Sequence, residues 1–392
     1  MELSATNPRK NIATLKQFAG YFLKLGYSGF GGPVALVTYI YRDLVERRKW
    51  ITEEEYNEGM ALAQLSPGPL AAQLGIYLGY IHYGIRGATL TILAFIAPSF
   101  FMVLLLGIAY KLFGGLPWMQ AIFYGISSAV VGIILASAIK LTLKSIGKFT
   151  LESFRMKWLL WLIFLISLVF TFYFPAQGPI LYLIAGLTYM AIKSPPKWMR
   201  NMKTNLVLLG GIGFWQFETG TLWKIAYFFS NAGAFVFGSG LAIVPFLHAG
   251  VVIQHNWLNE QQFLDAVAIA MITPGPLIMT VGFIGYLVAG FPGAVVAAVA
   301  TFLPCYLITI ITAPFFRKLA SNPSIKIFVE GITASILGSL FAAAILISIR
   351  SIGDIQSGVI AICSFLLLYN FKKLKEPYII LGAALIGLLL KM

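Results

Sequence analysis

Two tetrapeptides carry the chemistry open to this chain: Ser66-Pro67-Gly68-Pro69 and Thr273-Pro274-Gly275-Pro276. Each interrupts a long apolar run. Proline lacks an N–H and pushes the residue before it out of the helical region, so neither run can continue as one helix. A helix that restarts after such a break presents unpaired N–H groups and the positive end of its dipole, together an anion site. Ser66 and Thr273 add hydroxyl donors. A second pair of breaks, Phe30-Gly31-Gly32-Pro33 and Phe237-Gly238-Ser239-Gly240, adds glycines that let a ligand approach the backbone. Pro33, Pro69 and Pro276 stand where a first helical residue is expected. The expected anion-binding set is therefore Gly31, Gly32, Pro33, Ser66, Pro67, Gly68, Pro69, Gly238, Ser239, Gly240, Thr273, Pro274, Gly275 and Pro276.

Charged residues near these breaks extend the set. Lys24 lies in an apolar segment shortly before the first break, where a charge is costly and points to function. Its counterpart in the second half is Asn231, so the pair offers one cation and one amide; the alternative for Lys24 is a side chain that snorkels to the membrane surface. Glu58 and Asp265 are matched acids suited to carry a coupled proton or to gate; the alternative is a solvated first-turn acid held by a helix dipole. Gln64 and Gln73 flank the first Pro-Gly-Pro as further donors. Glu218 and Glu330 have no counterparts. His82, His248, His255, Cys305 and Cys363 show no metal-ligand spacing, so no metal or cofactor is expected. Paired catalytic acids and a Ser/His arrangement are also missing, which argues against an enzyme.

The elements that must position these residues are set by composition. The chain has 392 residues, 59% of them hydrophobic and 11% charged, with a mean hydropathy of +0.85. A soluble protein carries about 25% charged residues. An all-α polytopic membrane protein follows. In hydrocarbon, freed backbone groups cost several kcal/mol each unless protein or a water-filled cavity satisfies them, so the breaks should line a site. The net charge of +14 lies between apolar runs and not along one face, which argues for a bilayer and against nucleic acid. No cleavable signal is expected, and a bacterial or archaeal cytoplasmic membrane is the expected location.

Apolar segments fall at 15–40, 57–82, 87–113, 119–140, 157–174 and 178–193, and again at 225–253, 262–289, 292–316, 325–348, 355–370 and 377–390. At an offset of 207 residues Trp50 meets Trp257, Glu58 meets Asp265 and Pro67-Gly68-Pro69 meets Pro274-Gly275-Pro276. The expected divisions are a first transport repeat at 14–193, a basic linker with an extra short crossing at 194–224, and a second repeat at 225–391. Lys and Arg cluster in alternate loops of the two copies, which predicts opposite orientations in the membrane. One loop, with Arg42, Arg47, Arg48 and Lys49, lies on the wrong side if every segment crosses. It is cytosolic if the first two segments of each copy are re-entrant hairpins meeting near the bilayer midplane. All basic residues except Lys24, Lys111, Lys224, Arg350 and Lys391 are then cytosolic, with the N-terminus inside and the C-terminus outside. Thirteen full crossings is the competing reading.

Phe30-Gly31-Gly32-Pro33, Trp50 with its acidic run, and Gln64-Leu65-Ser66-Pro67-Gly68-Pro69 resemble the signature of the chromate ion transporter family. The second-half copies are similar to that family's second domain. The resemblance covers roughly 14–390 and is to the long, two-domain form. It implies chromate efflux, chromate resistance and homologous halves of opposite orientation. The implied partner is a small inorganic oxyanion, with sulfate as the look-alike dianion and a proton or counter-ion as coupling partner. Ser239 and Gly240 replace Gly32 and Pro33 in the second half, so equivalent binding by both halves does not follow. An anion channel or a scaffold subunit is the alternative, and a homo-oligomer is compatible with all of these.

Overall fold

The computed structural model describes residues 13–30, 32–174, 178–195, 220–238, 240–315, 322–371 and 374–391. The short crossing expected at 204–219 lies outside them, as do Gly31 and Ser239. The first half runs α1 (Leu15–Ser28), α2 (Gly32–Ile40) with a π-helical extension (Tyr41–Arg47), α3 (Glu53–Leu65), α4 (Leu70–Phe113), α5 (Pro117–Ser145), α6 (Leu151–Met156), α7 (Trp158–Tyr173) and α8 (Gly178–Lys193). The second half runs α9 (Thr221–Ala234), a 3-10 turn (Gly240–Ile243), α10 (Val244–Leu247) with its own π-helical extension (His248–Gln254), α11 (Glu260–Ile272), a 3-10 turn (Leu277–Met279), α12 (Thr280–Thr312), α13 (Pro323–Ser351), α14 (Ile355–Asn370) and α15 (Glu376–Lys391). The chain is an all-α polytopic membrane protein. Among the described residues, four stretches are long and apolar enough to cross a bilayer: Leu70–Phe113, Pro117–Ser145, Leu277–Phe315 and Pro323–Ser351.

The duplication reaches the local backbone. Two residues past each π-helical stretch stands a residue with positive φ, Lys49 at 53° and Asn256 at 50°. The following helices begin with the same device: Thr52 and Asn259 accept from the third helical N–H, while Glu55 and Gln262 accept from the cap N–H. The three acids Glu53, Glu54 and Glu55 add charge that favours the first turn of α3.

The first two segments of each half are helical hairpins. In the first half, Arg48 stacks on the Tyr21 ring, and Tyr77 donates its hydroxyl to Glu58 while His82 meets Glu55. Residue pairs 58 with 77 and 55 with 82 place α3 antiparallel to the start of α4, with the Pro-Gly-Pro turn between them. At Gly84 (φ 63°, ψ −154°) the chain reverses once more, so that the backbones of Gly79 and Gly87 touch. Gly290 (φ 65°, ψ −154°) reverses α12 in the same way. Only glycine takes this conformation without strain. The apolar run 57–82 is thus a hairpin, and its return arm continues through Gly84 into a long spanning helix.

The halves interlock. Helix α5 of the first half packs on α14 and α15 of the second, and α13 of the second packs on α7 and α8 of the first. Glycines let these backbones close: Gly132 of α5 faces the Ala361 carbonyl, and Gly338 of α13 faces the Phe164 carbonyl. Ser167 bonds Ser335 and Thr171 bonds Ser339, both at 2.7 Å, which satisfies hydroxyls that hydrocarbon would leave bare. Large apolar side chains such as Leu105, Leu165, Ile362 and Leu389 stay exposed on the outer faces, as a bilayer requires.

Candidate functional site

The four breaks meet in pairs, each pair joining the two halves. Gly68–Pro69 forms a two-residue parallel bridge with Phe237–Gly238, and the Gly68 N–H donates to the Val236 carbonyl at 2.5 Å. The second crossing point repeats this bond with the halves exchanged: the Gly275 N–H donates to the Gly29 carbonyl at 2.9 Å. Each Pro-Gly-Pro therefore docks against the glycine-rich break of the other half. This reciprocity is that of an isologous contact.

Pairing changes what the tetrapeptides can offer. The amides of Gly68 and Gly275 are satisfied by backbone and are not free for a ligand. Their missing side chains serve close packing as well. A Cβ at Gly68 would meet Cys305 and Gln73, and one at Gly275 would collide with the Ser99 hydroxyl. Pro69 (ψ 122°) and Pro276 (ψ 122°) are extended cap residues and not the first helical residues expected: Pro69 lies in the bridge to Gly238, the Pro276 carbonyl accepts from the Met279 N–H, and helical turns resume one residue later. Pro33 is the second residue of α2.

The two crossing points are stapled differently. Ser99 donates to the Pro274 carbonyl at 2.8 Å. At the other point Cys305 occupies the equivalent place and packs against Gly68, and the fully buried Gln73 supplies the donor, from its Nε2 to the Pro67 carbonyl. Ser66, buried, closes α3 through its N–H to the Leu62 carbonyl. Thr273 turns its hydroxyl back to the Ala270 carbonyl at 3.2 Å.

A cavity of about 270 Å³ opens at the Gly29–Gly275 crossing. Gly32, Pro33 and Val34 form one wall, Met271, Thr273 and Gly275 another, and Gly240 and Leu241 a third. Gly32 has φ +74° and nothing within 4 Å of where a Cβ would stand, so it faces open space. Ser137 and Lys140 of α5 enter from the side, and the Lys140 Nζ donates to the Leu368 carbonyl at 2.5 Å. Glu376 and Pro377, at the start of α15, complete the lining. A cleft of about 650 Å³ shares Phe30, Thr273 and Pro377 with it and reaches Lys375 and Tyr378. The N-termini of α2 and α15 and Lys140 thus border one space with largely apolar walls, a field that favours an anion against the single opposing charge of Glu376.

Lys140 was hidden in the sequence among loop charges. The available signal was its place inside the run 119–140, ahead of the more polar Lys144 and Lys148. Lys24 and Asn231 are not at the cavity. Lys24 is on the exposed face of α1, and Asn231 turns its amide back to the Tyr227 carbonyl of its own helix. Glu58 is half-buried and accepts from Tyr77, whereas Asp265 is buried and accepts from Tyr110, Ser127 and Gln261. No group of three or more His, Cys, Asp or Glu side chains able to hold a metal occurs among the described residues.

Broken helices packed in reciprocal pairs inside a polytopic bundle, with a cavity at the Gly29–Gly275 crossing and residues 66–69 and Gly238 outside its lining, fit a membrane transporter. The profile of the chromate transporter family matches residues 16–191 and again 223–388, and the chain belongs to that family. It is 55% identical over 380 residues to the chromate transport protein of Cupriavidus metallidurans, covering 96% of this chain and 93% of that one. It is 50% identical over 385 residues to a probable chromate transport protein of Synechococcus elongatus, covering 96% and 95%. An uncharacterized transporter of Methanocaldococcus jannaschii is 31% identical over 391 residues, covering 97% and 96%. No solved structure matches the chain.

Proposed function

We propose that this protein exports chromate, or a similar tetrahedral oxyanion such as sulfate, across the cytoplasmic membrane as a secondary transporter. The anion sits in the cavity between the Gly29–Val34 break and the Thr273–Leu277 break. The observation that carries this reading is Lys140 lining the same cavity as the N-termini of α2 and α15. A dianion entering there exchanges part of its hydration for one full charge and two helix ends, in surroundings where water screens them less. Glu376 lines the same cavity, so its charge offsets that of Lys140 and keeps the anion from being held too tightly.

The hairpins are re-entrant in this reading. Helix α3 has 13 residues, about 20 Å at 1.5 Å per residue, against a hydrocarbon thickness of about 30 Å. The loop with Arg42, Arg47, Arg48 and Lys49 is then cytosolic, the halves are inverted, the N-terminus is inside and the C-terminus outside. A proton or counter-ion drives the cycle.

Purified protein in liposomes tests the proposal. Chromate flux should saturate and show counter-exchange. Lys140→Met should lower kcat/KM by ~10-fold or more, about 1.4 kcal/mol, with a melting temperature lowered only by the lost bond to the Leu368 carbonyl. Unsaturating, voltage-driven chromate current would establish a channel instead. Absent flux, or full flux in Lys140→Met, would remove the carrier or the site respectively.

A further inference from the structure

We infer that the Asp265 carboxyl is the proton-binding site of the transport cycle, a role that rests on the carrier reading above. Asp265 is 1% exposed, in the middle of α11. Its Oδ2 accepts from the Tyr110 hydroxyl at 2.8 Å, and its Oδ1 lies 2.8 Å from the Ser127 hydroxyl and 2.9 Å from the Gln261 amide. No Lys, Arg or His is bonded to it among the described residues. A buried carboxylate without a cation is costly, so a proton is the natural charge to neutralise it.

The hydrogen bonds accommodate both states. Ser127 has one proton and two acceptors within reach, Asp265 Oδ1 and the Phe123 carbonyl, each at 2.8 Å. With Asp265 ionised, Ser127, Tyr110 and Gln261 all donate to it. With Oδ1 protonated, the carboxyl donates to the Ser127 oxygen, which also accepts from the Gln261 amide at 2.6 Å, Ser127 turns its proton to Phe123, and Tyr110 still donates to Oδ2. No buried polar atom of this set is stranded in either state, so proton binding and release need no repacking. A proton arrives from solvent and leaves to solvent; no other bond changes.

Neighbouring titratable groups are already engaged. Glu260, on the same helix, is bound by His248 from the π-helical stretch at 2.7 Å and by Arg350 of α13 at 2.8 Å. Tyr124 of α5 and Lys391 of α15 both hold Asp354. From α12, Phe283 packs on the Tyr110 ring of α4. Asp265 is linked to the cavity by the two helices that carry its partners. Along α11, Thr273 lies about 12 Å beyond Asp265, and along α5, Ser137 lies about 15 Å beyond Ser127, at 1.5 Å per residue. A change of charge at Asp265 therefore acts on both helices that wall the anion site.

The test has two readouts. Infrared titration of purified protein should show a protonated-carboxyl band that disappears as pH rises and is missing in Asp265→Asn. This measurement does not depend on chromate. In liposomes, Asp265→Asn should retain chromate counter-exchange and lose stimulation by an imposed proton gradient. Tyr110→Phe, which takes one donor from the ionised form, should move the pH profile of flux to the alkaline side and serves if Asp265→Asn is recovered unfolded. A titrating band that survives in Asp265→Asn, or gradient stimulation equal to the parent's, overturns the assignment. A titrating Asp265 in a protein that moves no chromate would instead sink the carrier reading alone.

Discussion

The Gly275 N–H and the Gly29 carbonyl, 2.9 Å apart, join the second half's Pro-Gly-Pro break to the first half's glycine-rich break. The bond satisfies a donor and an acceptor that the interrupted helices would otherwise leave bare inside a bilayer. It also fixes the floor of the cavity, because Gly32 and Thr273 extend from its two ends.

Gly275→Ala should be destabilising. Gly275 has φ +99°, and a methyl group there would strike the Ser99 hydroxyl that holds the Pro274 carbonyl. Strain and overpacking of this kind cost about 1–3 kcal/mol each. The expected result is a lower melting temperature in detergent and reduced yield. Gly32→Ala, facing open space, should lose only about 1–2 kcal/mol from its positive φ but still slow flux. Equal melting losses in both would show that the Gly275 contact is not close.

Lys24→Gln should leave the chromate KM unchanged, since Lys24 is on the exposed face of α1 and away from the cavity. Concentration-dependent uptake in liposomes decides this. A several-fold rise in KM would bring Lys24 back into the anion path.

Arg47→Cys should react with thiol reagents only from the cytosolic side. Arg47 ends the first hairpin, so its side reports directly on whether that hairpin turns back. Labelling of intact cells by a reagent that cannot cross the membrane would contradict re-entrance.

Much of this architecture could be read from residue order, and the limits are specific. The Pro-Gly-Pro and Gly-rich breaks were visible because proline and glycine act on their own backbone. Their lengthwise register exposed the repeat through matches such as Trp50 with Trp257, and the structure extends it to the positive φ shared by Lys49 and Asn256. What pairs with each break was not visible, since a hydrogen bond between residues 29 and 275 leaves no local trace. The sequence therefore suggested open amides where the fold has closed ones. Lys140 was missed for a related reason: a lysine at the end of an apolar run looks like a loop charge until another helix curls over it. Lys24 attracted attention by depth alone, and depth does not say which face of α1 it occupies.

The exchange of the last two helices of each half, α7 and α8 for α14 and α15, restricts how this molecule can move. Helix α5 is clasped by α14 and α15, and α13 by α7 and α8, so the halves are hooked together like two links. Swinging one half away from the other would break both clasps at once, including the paired hydroxyls Ser167–Ser335 and Thr171–Ser339. The hairpins have a softer route. Each joins its long helix through a single glycine, Gly84 or Gly290, where a side chain would meet nothing within 4 Å, and the close contacts of Gly79 with Gly87 and of Gly285 with Gly293 hold the axis beside it. In the carrier proposed above, the motion that opens the cavity to one side and then the other would be a pivot of hairpin arms about these two glycines, inside a chassis that stays shut.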